Sequence, residues 1–282
     1  MQEKIIITSD STTDLGEELI ARYGVKILPL KVTLGEKTYA DGVDITPDMI
    51  YDHYNKEGEL PQTAAPNLSE LLDFFGALVN DGYTVIHFTI SAEMSSSYSN
   101  AAIAAQEFDN VHVVDTRNLS TGGGLLVISA CEMAQKGMAA AEIVSKCRAL
   151  TDRVSASFVV DDLTFLHKGG RCSALAAFGA NLLKLKPCIE VSGGKMDVSR
   201  KYRGKFEKVL LQYIDDQVGD GSRIVPDHVF VTHAGCDEEI CRMCAEEVRK
   251  LMDVKEVHIT RAGCTISSHC GRNTLGVLFI RR

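Results

Sequence analysis

Short apolar runs alternate with longer amphipathic stretches through the first half of the chain. The apolar runs cover 4–8, 84–88 and 111–115, and the amphipathic stretches cover 15–23, 47–56, 68–79, 124–136 and 140–150. A short apolar run predicts a buried strand, and apolar positions three and four apart predict a helix. We predict a further strand at 25–34, interrupted by Pro29. Alternating strands and helices of this kind predict a parallel sheet with helices on both faces.

The second half has a different pattern. Segments that look like strands cover 155–160, 187–192, 195–200, 229–232, 257–260 and 277–280. Gly193-Gly194 joins two of these segments and predicts a two-residue hairpin, so this sheet is expected to be mixed. We therefore predict an α/β protein of two domains, with a parallel-sheet α/β/α domain at 1–153 and a mixed-sheet α/β domain at 154–282.

A group of serines stands at one of the predicted strand-to-helix turns. Ser91, Ser95, Ser96, Ser97 and Ser99 follow the run at 84–88 and precede a helical stretch. The first N–H groups of a helix are unpaired and favour negative charge, so this turn predicts a site for a carboxylate or phosphate. Helix capping alone would account for one or two of the serines.

Other segments carry weaker signals. Gly122-Gly123-Gly124 either cradles a phosphate or allows a helix to pack closely. Cys236, Cys241 and Cys244 have a spacing compatible with an iron–sulfur cluster, but two of them share one face of a predicted helix, which favours core packing. His269 lies in a hydroxyl-rich segment and is the strongest candidate among the histidines for contact with a ligand. His233 is a weaker candidate.

The composition of the chain argues against several classes of function. The net charge of −8 argues against a general nucleic-acid surface, although 200–205 is a local basic segment suited to docking a partner. No apolar run approaches the length of a membrane span, and no signal peptide is recognisable. With nine cysteines and no secretory segment, the chain is expected to be cytoplasmic with reduced thiols. No metal and no cofactor is expected.

An ordered set of short motifs resembles the DegV family, the fatty-acid-binding proteins that serve bacterial fatty acid kinase. The motifs cover 8–15, 63–67, 91–101, 114–116, 166–171, 183–187, 201–203 and 269–271. The chain departs from the usual pattern in two of them. Thr63-Ala64-Ala65-Pro66-Asn67 stands where the family usually has Thr-Ser-Gln-Pro-Ser, and Ser95-Ser96-Ser97 stands where it usually has Ser-Gly-Thr.

The resemblance implies a carrier that buries a long acyl chain between or within two α/β domains. Its carboxylate would be bound by Thr63, Ser95 and His269. Secondary ligand-site candidates are Ser96, Ser97, Gly170 and Arg171, and candidates for docking the kinase are Arg200, Lys201 and Arg203. A separate kinase would phosphorylate the bound acid, so the chain itself is not expected to be an enzyme. It is expected to bind neither nucleic acid nor, stably, a membrane.

The residues leave one other function open. Ser95 and His269 are a possible nucleophile and base for an enzyme acting on a small anion or an acyl ester. No nucleophile-elbow motif accompanies Ser95. No motif indicates the preferred length of the acyl chain or the oligomeric state of the protein.

Overall fold

The first half of the chain alternates strands and helices as the polarity pattern predicts. The computed structural model describes residues 3–172 and 185–282. In chain order the first elements are β1 (Ile5–Asp10), α1 (Gly16–Tyr23), β2 (Lys26–Leu28), β3 (Lys31–Leu34), β4 (Lys37–Ala40), α2 (Pro47–Glu57), β5 (Gln62–Ala64), α3 (Leu68–Asn80), β6 (Thr84–Thr89), α4 (Ser97–Ala105), β7 (Val111–Asp115), α5 (Ser120–Gln135) and α6 (Ala140–Leu150).

The second half contains the remaining strands. Its elements are β8 (Val154–Val160), α7 (Thr164–Gly169), β9 (Lys186–Ser192), β10 (Lys195–Tyr202), α8 (Phe206–Val218), β11 (Ile224–Ala234), α9 (Glu238–Leu251), β12 (Glu256–Arg261), α10 (Cys264–Cys270) and β13 (Thr274–Arg281). Leu183 and Lys184 of the motif at 183–187 lie outside the described residues. In the described part of the chain, no helix is both long enough and apolar enough to cross a bilayer.

The predicted parallel sheet is confirmed, in the order β2-β1-β6-β7 with every pair parallel. Successive residues of its strands face opposite layers. Ile6 and Val85 pack with α3 and α4, whereas Ile7 and Ile86 pack with α5. Because the strands run in one direction, the polar turns after β1, β6 and β7 all lie at the same edge of the sheet.

The predicted mixed sheet is also confirmed, in the order β10-β9-β8-β13-β11-β12. Only β11 and β12 are parallel; the other neighbours are antiparallel. Gly193 and Gly194 form the hairpin turn with φ of 58° and 85°, a backbone that glycine adopts without strain. Helices α8 and α9 cover one face of this sheet, where they bury Tyr213 and Val248.

Helix α5 lies between the two sheets. Its buried side chains share one apolar core with Ile7 of the parallel sheet and with Phe158 and Leu278 of the mixed sheet. A continuous core joins the two halves, and the predicted boundary near residue 153 lies between α6 and β8 and stays a prediction. A Cβ at Gly124 would lie 2.9 Å from the Thr13 carbonyl oxygen, so the glycines of this helix serve close packing, the second of the two interpretations above.

A small third sheet was not predicted. It is antiparallel with the order β4-β3-β5. The segment predicted as one interrupted strand at 25–34 is divided between two sheets, since β2 joins the parallel sheet and β3 the small one. Pro29 lacks a backbone N–H and stands where the chain crosses from one sheet to the other. In the small sheet Thr63 pairs with Val32.

The cysteines of the second half pack as apolar side chains. Cys241 and Cys244 are buried on α9, and burial raises the pKa of Cys241 to about 11 and that of Cys244 to about 12. Cys236 donates from Sγ to the Thr274 carbonyl oxygen. Thiols with raised pKa are protonated at neutral pH and are poor metal ligands, which favours the packing interpretation.

Candidate functional site

A cavity of about 370 Å³ lies where the serine turn, the small sheet and α10 meet. Its volume is within the range of ordinary small-molecule sites. Its polar lining consists of Thr63, Ser95, Ser96, Arg171, Thr265 and His269, and its apolar lining of Leu30, Ala64, Ala65, Ile90, Met94, Leu119, Met196, Ile266 and Cys270. The arrangement offers a few hydrogen-bonding groups to one end of a largely apolar ligand.

Thr63 and His269 meet in this cavity although they are 206 residues apart. Thr63 Oγ1 lies 2.8 Å from His269 Nε2. Strand β5 carries the threonine and α10 carries the histidine. When Nε2–H donates to Thr63 Oγ1, the threonine O–H is free to donate to a ligand.

Ser95 lies in the turn that leads into α4. Its Oγ accepts a hydrogen bond from the Ser97 backbone N–H at 3.2 Å and lies 2.9 Å from Ser97 Oγ. Ser96 lines the cavity, while Ser97 is buried beneath the turn and does not. Ser91 donates from Oγ to the Gly194 carbonyl oxygen at 2.7 Å, so the β9–β10 hairpin holds the turn in place. When Ser97 Oγ also donates to Ser95 Oγ, the Ser95 O–H is free to donate to a ligand.

The His269 imidazole is neutral at physiological pH. Burial, with a smaller contribution from the Arg171 guanidinium, lowers the pKa of His269 to about 4. Within the described residues Nδ1 has no hydrogen-bond partner. A Cβ at Gly169 would lie 2.8 Å from that nitrogen, so the end of α7 packs directly against the ring.

The secondary ligand-site candidates do not all line the cavity. Ser96 and Arg171 line the cavity and are exposed, and Arg171 Nη1 donates to the Gly169 carbonyl oxygen. Gly170 ends α7 with φ of 69° and is not among the lining residues. Its neighbour Gly169, which the sequence reasoning did not single out, is the glycine that contacts His269.

Two aspartates from the first half hold α10, and sequence reasoning assigned neither a role. Asp41 Oδ1 accepts from the Cys264 backbone N–H at 2.7 Å, and Oδ2 accepts from the Thr265 N–H at 3.0 Å. Asp14 Oδ1 accepts from the Gly263 N–H at 2.8 Å. Residue 263 is a glycine without a capping side chain, so these distant carboxylates satisfy the first N–H groups of the helix that carries His269.

The buried carboxyl groups predict a stability that falls with rising pH. Burial raises the pKa of Asp14 to about 8 and that of Asp10 to about 6. Both are near 3.9 in an unfolded chain. Between pH 4 and 8 these two groups alone bind more protons in the folded state than in the unfolded state, which lowers the free energy of unfolding as pH rises. His87 and His269, whose pKa values burial lowers to about 3 and about 4, bind fewer protons in the folded state below about pH 6.5 and act in the opposite direction there. We therefore expect the free energy of unfolding to decrease between about pH 7 and 8, where Asp14 dominates. Urea unfolding at several pH values measures this slope.

Asp14→Asn isolates the contribution of one group. The amide keeps an acceptor for Gly263 N–H and donates to Ser120 Oγ, which now lies 2.5 Å from Asp14 Oδ2. We expect a smaller loss of stability between about pH 7 and 8, and greater stability at pH 8, than in the unsubstituted protein. Equal slopes for the two proteins would show that Asp14 is ionised throughout.

A second, smaller cavity continues from the first. Its volume is about 30 Å³, and it shares Leu119, Ile266 and Cys270 with the larger one. Its other lining residues are Ser120, Phe158, Thr232, His233, Ala234, Ala262, Thr274, Gly276 and Leu278. His233, the weaker candidate of the sequence analysis, accepts from the Cys236 N–H through Nδ1. The two cavities therefore adjoin at Leu119, Ile266 and Cys270.

The geometry offers little support for nucleophilic catalysis. A serine nucleophile needs a base within hydrogen-bond reach and a third group that orients the base. His269 Nε2 is bonded to Thr63, and Ser95 Oγ is bonded to Ser97. Among the described residues no group bonds to His269 Nδ1. The site is better arranged to hold an anion than to attack an ester.

The basic segment lies on an edge strand. Arg200, Lys201 and Arg203 are all exposed at the end of β10, which is the outermost strand of the mixed sheet on that side. Arg200 also pairs with Asp216, with Nη1 2.5 Å from Oδ2. Met196, on the same strand, lines the larger cavity.

Comparison with known sequences assigns the family. The family model described as "Uncharacterised protein, DegV family" matches residues 4–282. The chain is 31% identical over 279 residues to a DegV domain-containing protein of Caldanaerobacter subterraneus subsp. tengcongensis, covering 98% of this chain and 99% of that protein. A DegV domain-containing protein of Clostridium acetobutylicum is 31% identical over 285 residues, with 99% of each chain covered. The protein belongs to the DegV family.

Solved structures agree in fold. A fatty-acid-binding DegV family protein from Thermus thermophilus superposes with a TM-score of 0.90 at 28% identity, covering 99% of this chain and 100% of that one. A stearic-acid-binding protein from Eubacterium ventriosum gives 0.87 at 28% identity, with 98% of each chain covered. DegV from Bacillus subtilis, described as a fatty acid binding protein, gives 0.85 at 26% identity, covering 99% and 100%.

Proposed function

We propose that this protein is a carrier of a long-chain fatty acid. The observation that carries the proposal is that Thr63, Ser95 and His269 line one cavity whose remaining lining is mostly apolar, with Thr63 and His269 in direct contact. The carboxylate binds at these three residues, beside the exposed Ser96 and Arg171. The acyl chain extends past Leu119 and Ile266. Fatty acid binding by structural neighbours at 25% identity or more supports this assignment.

The polar end is suited to a carboxylate. A carboxylate shielded from water is costly unless it is hydrogen-bonded, and bonds to a charged acceptor are stronger than neutral ones. With His269 in the Nε2–H tautomer, its N–H donates to Thr63 Oγ1 and leaves the threonine proton available for the ligand. The Ser97 N–H donates to Ser95 Oγ, so the Ser95 hydroxyl can likewise turn its proton toward the ligand. The neutral imidazole of His269 and the guanidinium of Arg171 also line the site. Among the described lining residues there is no carboxylate that would repel the ligand.

The apolar lining of the cavity provides binding affinity for the acyl chain without any reaction of the ligand. Each buried methylene contributes about 0.8 kcal/mol, so a long acyl chain offsets the cost of ordering the ligand. No covalent step is needed, and we infer a role in holding the acid rather than in converting it.

The bound acid is presented to a fatty acid kinase. Strand β10 carries Met196 at the cavity and Lys201 at its exposed end, and Arg203 follows the strand. A docked kinase on this edge would therefore lie near the ligand, with Arg200, Lys201 and Arg203 as its basic contacts. We place the carrier in the cytoplasm, since its nine cysteines, all among the described residues, form no disulfide bonds.

Native mass spectrometry of the freshly purified protein tests the fatty acid assignment. We expect one fatty acid per chain, identified after denaturing release, and complete loading when delipidated protein is incubated with palmitate or oleate. A protein that is empty as purified and does not load with either acid would refute the assignment.

The docking proposal is tested separately, with protein already loaded with the acid. The variant Lys201→Glu/Arg203→Glu should slow phosphorylation of the bound acid by a fatty acid kinase and ATP while leaving fatty acid affinity unchanged. Lys195→Glu, a charge reversal at the other end of β10, is the matched control. Equal rates for all three proteins would remove the basic segment from the kinase interface.

A further inference from the structure

Two histidines and two glutamates meet at the junction between the halves of the molecule. They lie outside the cavity lined by Thr63 and His269, which we call the fatty acid cavity. His228 lies on β11, Glu256 and His258 lie on the neighbouring β12, and Glu132 lies on α5. Glu256 and His258 are two residues apart on one strand and therefore face the same side of the sheet. Because β11 and β12 pair in register with His228 opposite Glu256, the side chains converge.

The nitrogen and oxygen atoms of three of these residues are within reach of a single ion. His228 Nδ1 lies 3.0 Å from His258 Nε2. The Glu256 carboxylate oxygens lie 4.0 Å from His228 Nδ1 and 3.9 Å from His258 Nε2. All the ligand atoms are within 4.8 Å of one another. This is the only such group within residues 3–172 and 185–282.

We propose that His228, His258 and Glu256 bind a zinc ion. Two nitrogens at the usual 2.0–2.1 Å from a tetrahedral zinc stand about 3.3 Å apart. The imidazoles therefore have to separate by only a few tenths of an ångström, with a small rotation of each ring, while the carboxylate closes toward them. Two imidazoles and a carboxylate leave a fourth position for water, the usual composition of an open zinc site.

Glu132 hydrogen-bonds His228 through the ring nitrogen that does not face the proposed ion. Its Oε1 lies 3.1 Å from His228 Nε2, which places the proton on Nε2 and the lone pair on Nδ1, toward the ion. His258 Nε2–H then donates to His228 Nδ1 when no ion is bound. On zinc binding this proton moves to His258 Nδ1, so the pair changes tautomer with no net release of protons.

An ion can reach the cluster from solvent. The two imidazole side chains are 11% and 13% exposed, and Glu256 and His258 line an open cavity of about 590 Å³. Arg22 competes with the ion, because its guanidinium binds both oxygens of Glu256 at 2.6 and 2.9 Å. The site shares no residue with the fatty acid cavity, so it stands independently of the proposed carrier function.

Calorimetric titration of ZnCl₂ into the full chain, freed of metal with a chelator, tests the proposal. We expect one zinc ion per chain, a loss of more than about 100-fold in affinity for His258→Gln or His228→Gln, and a loss of about 10- to 100-fold for Glu132→Gln. His112→Gln, which removes a histidine outside the cluster, should bind as the unsubstituted protein does. Arg22→Gln should bind more tightly, since it frees Glu256.

Cobalt distinguishes the cluster from the nine cysteines. Co²⁺ in the proposed site should give visible absorption without the intense near-ultraviolet band of thiolate ligands, and His258→Gln should remove it. Circular dichroism establishes that each variant is folded. Absence of saturable zinc binding in the unsubstituted protein, or binding undiminished in the folded His228→Gln/His258→Gln variant, would overturn the proposal.

Discussion

Thr63→Val and Ser95→Ala should each weaken the binding of a long-chain fatty acid by about 10- to 100-fold. Each substitution keeps the volume of the side chain nearly constant and removes one hydroxyl from the polar end of the cavity. Hydrogen bonds to a charged group contribute about 1.5–3 kcal/mol, which sets the expected range. Thr63→Val also leaves His269 Nε2 without its 2.8 Å partner, so it should be the more damaging of the two. Titration with a fluorescent fatty acid measures both.

The control compares ligands as well as variants. Ser99→Ala alters the same serine-rich segment at an exposed position that does not line the cavity, and it should bind as the unsubstituted protein does. The losses should be much smaller for a fatty acid methyl ester, which carries no charge. Equal losses for the acid and the ester would place the two hydroxyls somewhere other than at the carboxylate.

Sequence reasoning was most successful where burial and chain direction leave a strong pattern. Most strands of both sheets contain apolar runs, and the Gly193-Gly194 hairpin has a chemical signal of its own. The turn holding Ser95 could be placed at the edge of the parallel sheet because every strand there points the same way. The hydroxyl-rich segment had already singled out His269, and the family resemblance then supplied Thr63 and connected the two residues.

The elements that were missed depend on distant contacts. Strands β4 and β5 are four and three residues long and of mixed polarity, so periodicity could not reveal them. Helix α10 consists largely of cysteine, threonine and serine, which are weak helix formers. It begins where it does because Asp14 and Asp41 bind its first N–H groups. The His228–His258 cluster likewise arises from strand pairing.

Helix α10 provides the second prediction, because its position depends on a residue outside the cavity. Asp41→Ala should lower the free energy of unfolding by about 2–4 kcal/mol, since it leaves the buried N–H groups of Cys264 and Thr265 without acceptors. Ser11 Oγ, which donates to Asp41 at 3.0 Å, also loses its partner. Above about pH 8, where Asp14 is ionised, the removal of the Asp41 charge also weakens the repulsion of Asp14 and offsets part of the loss.

The same substitution should weaken fatty acid binding even under conditions where the variant is fully folded. Asp41 does not line the cavity, but it fixes the start of the helix that carries His269. Asp41→Asn keeps one acceptor oxygen and should be intermediate in both stability and affinity, whereas Asp52→Ala, at an exposed position on α2, should change neither. If Asp41→Ala unfolds with the same urea midpoint as the unsubstituted protein, the N–H groups of α10 find other acceptors. In that case the helix is positioned by its apolar packing on Phe165 and Ile45 rather than by the carboxylate.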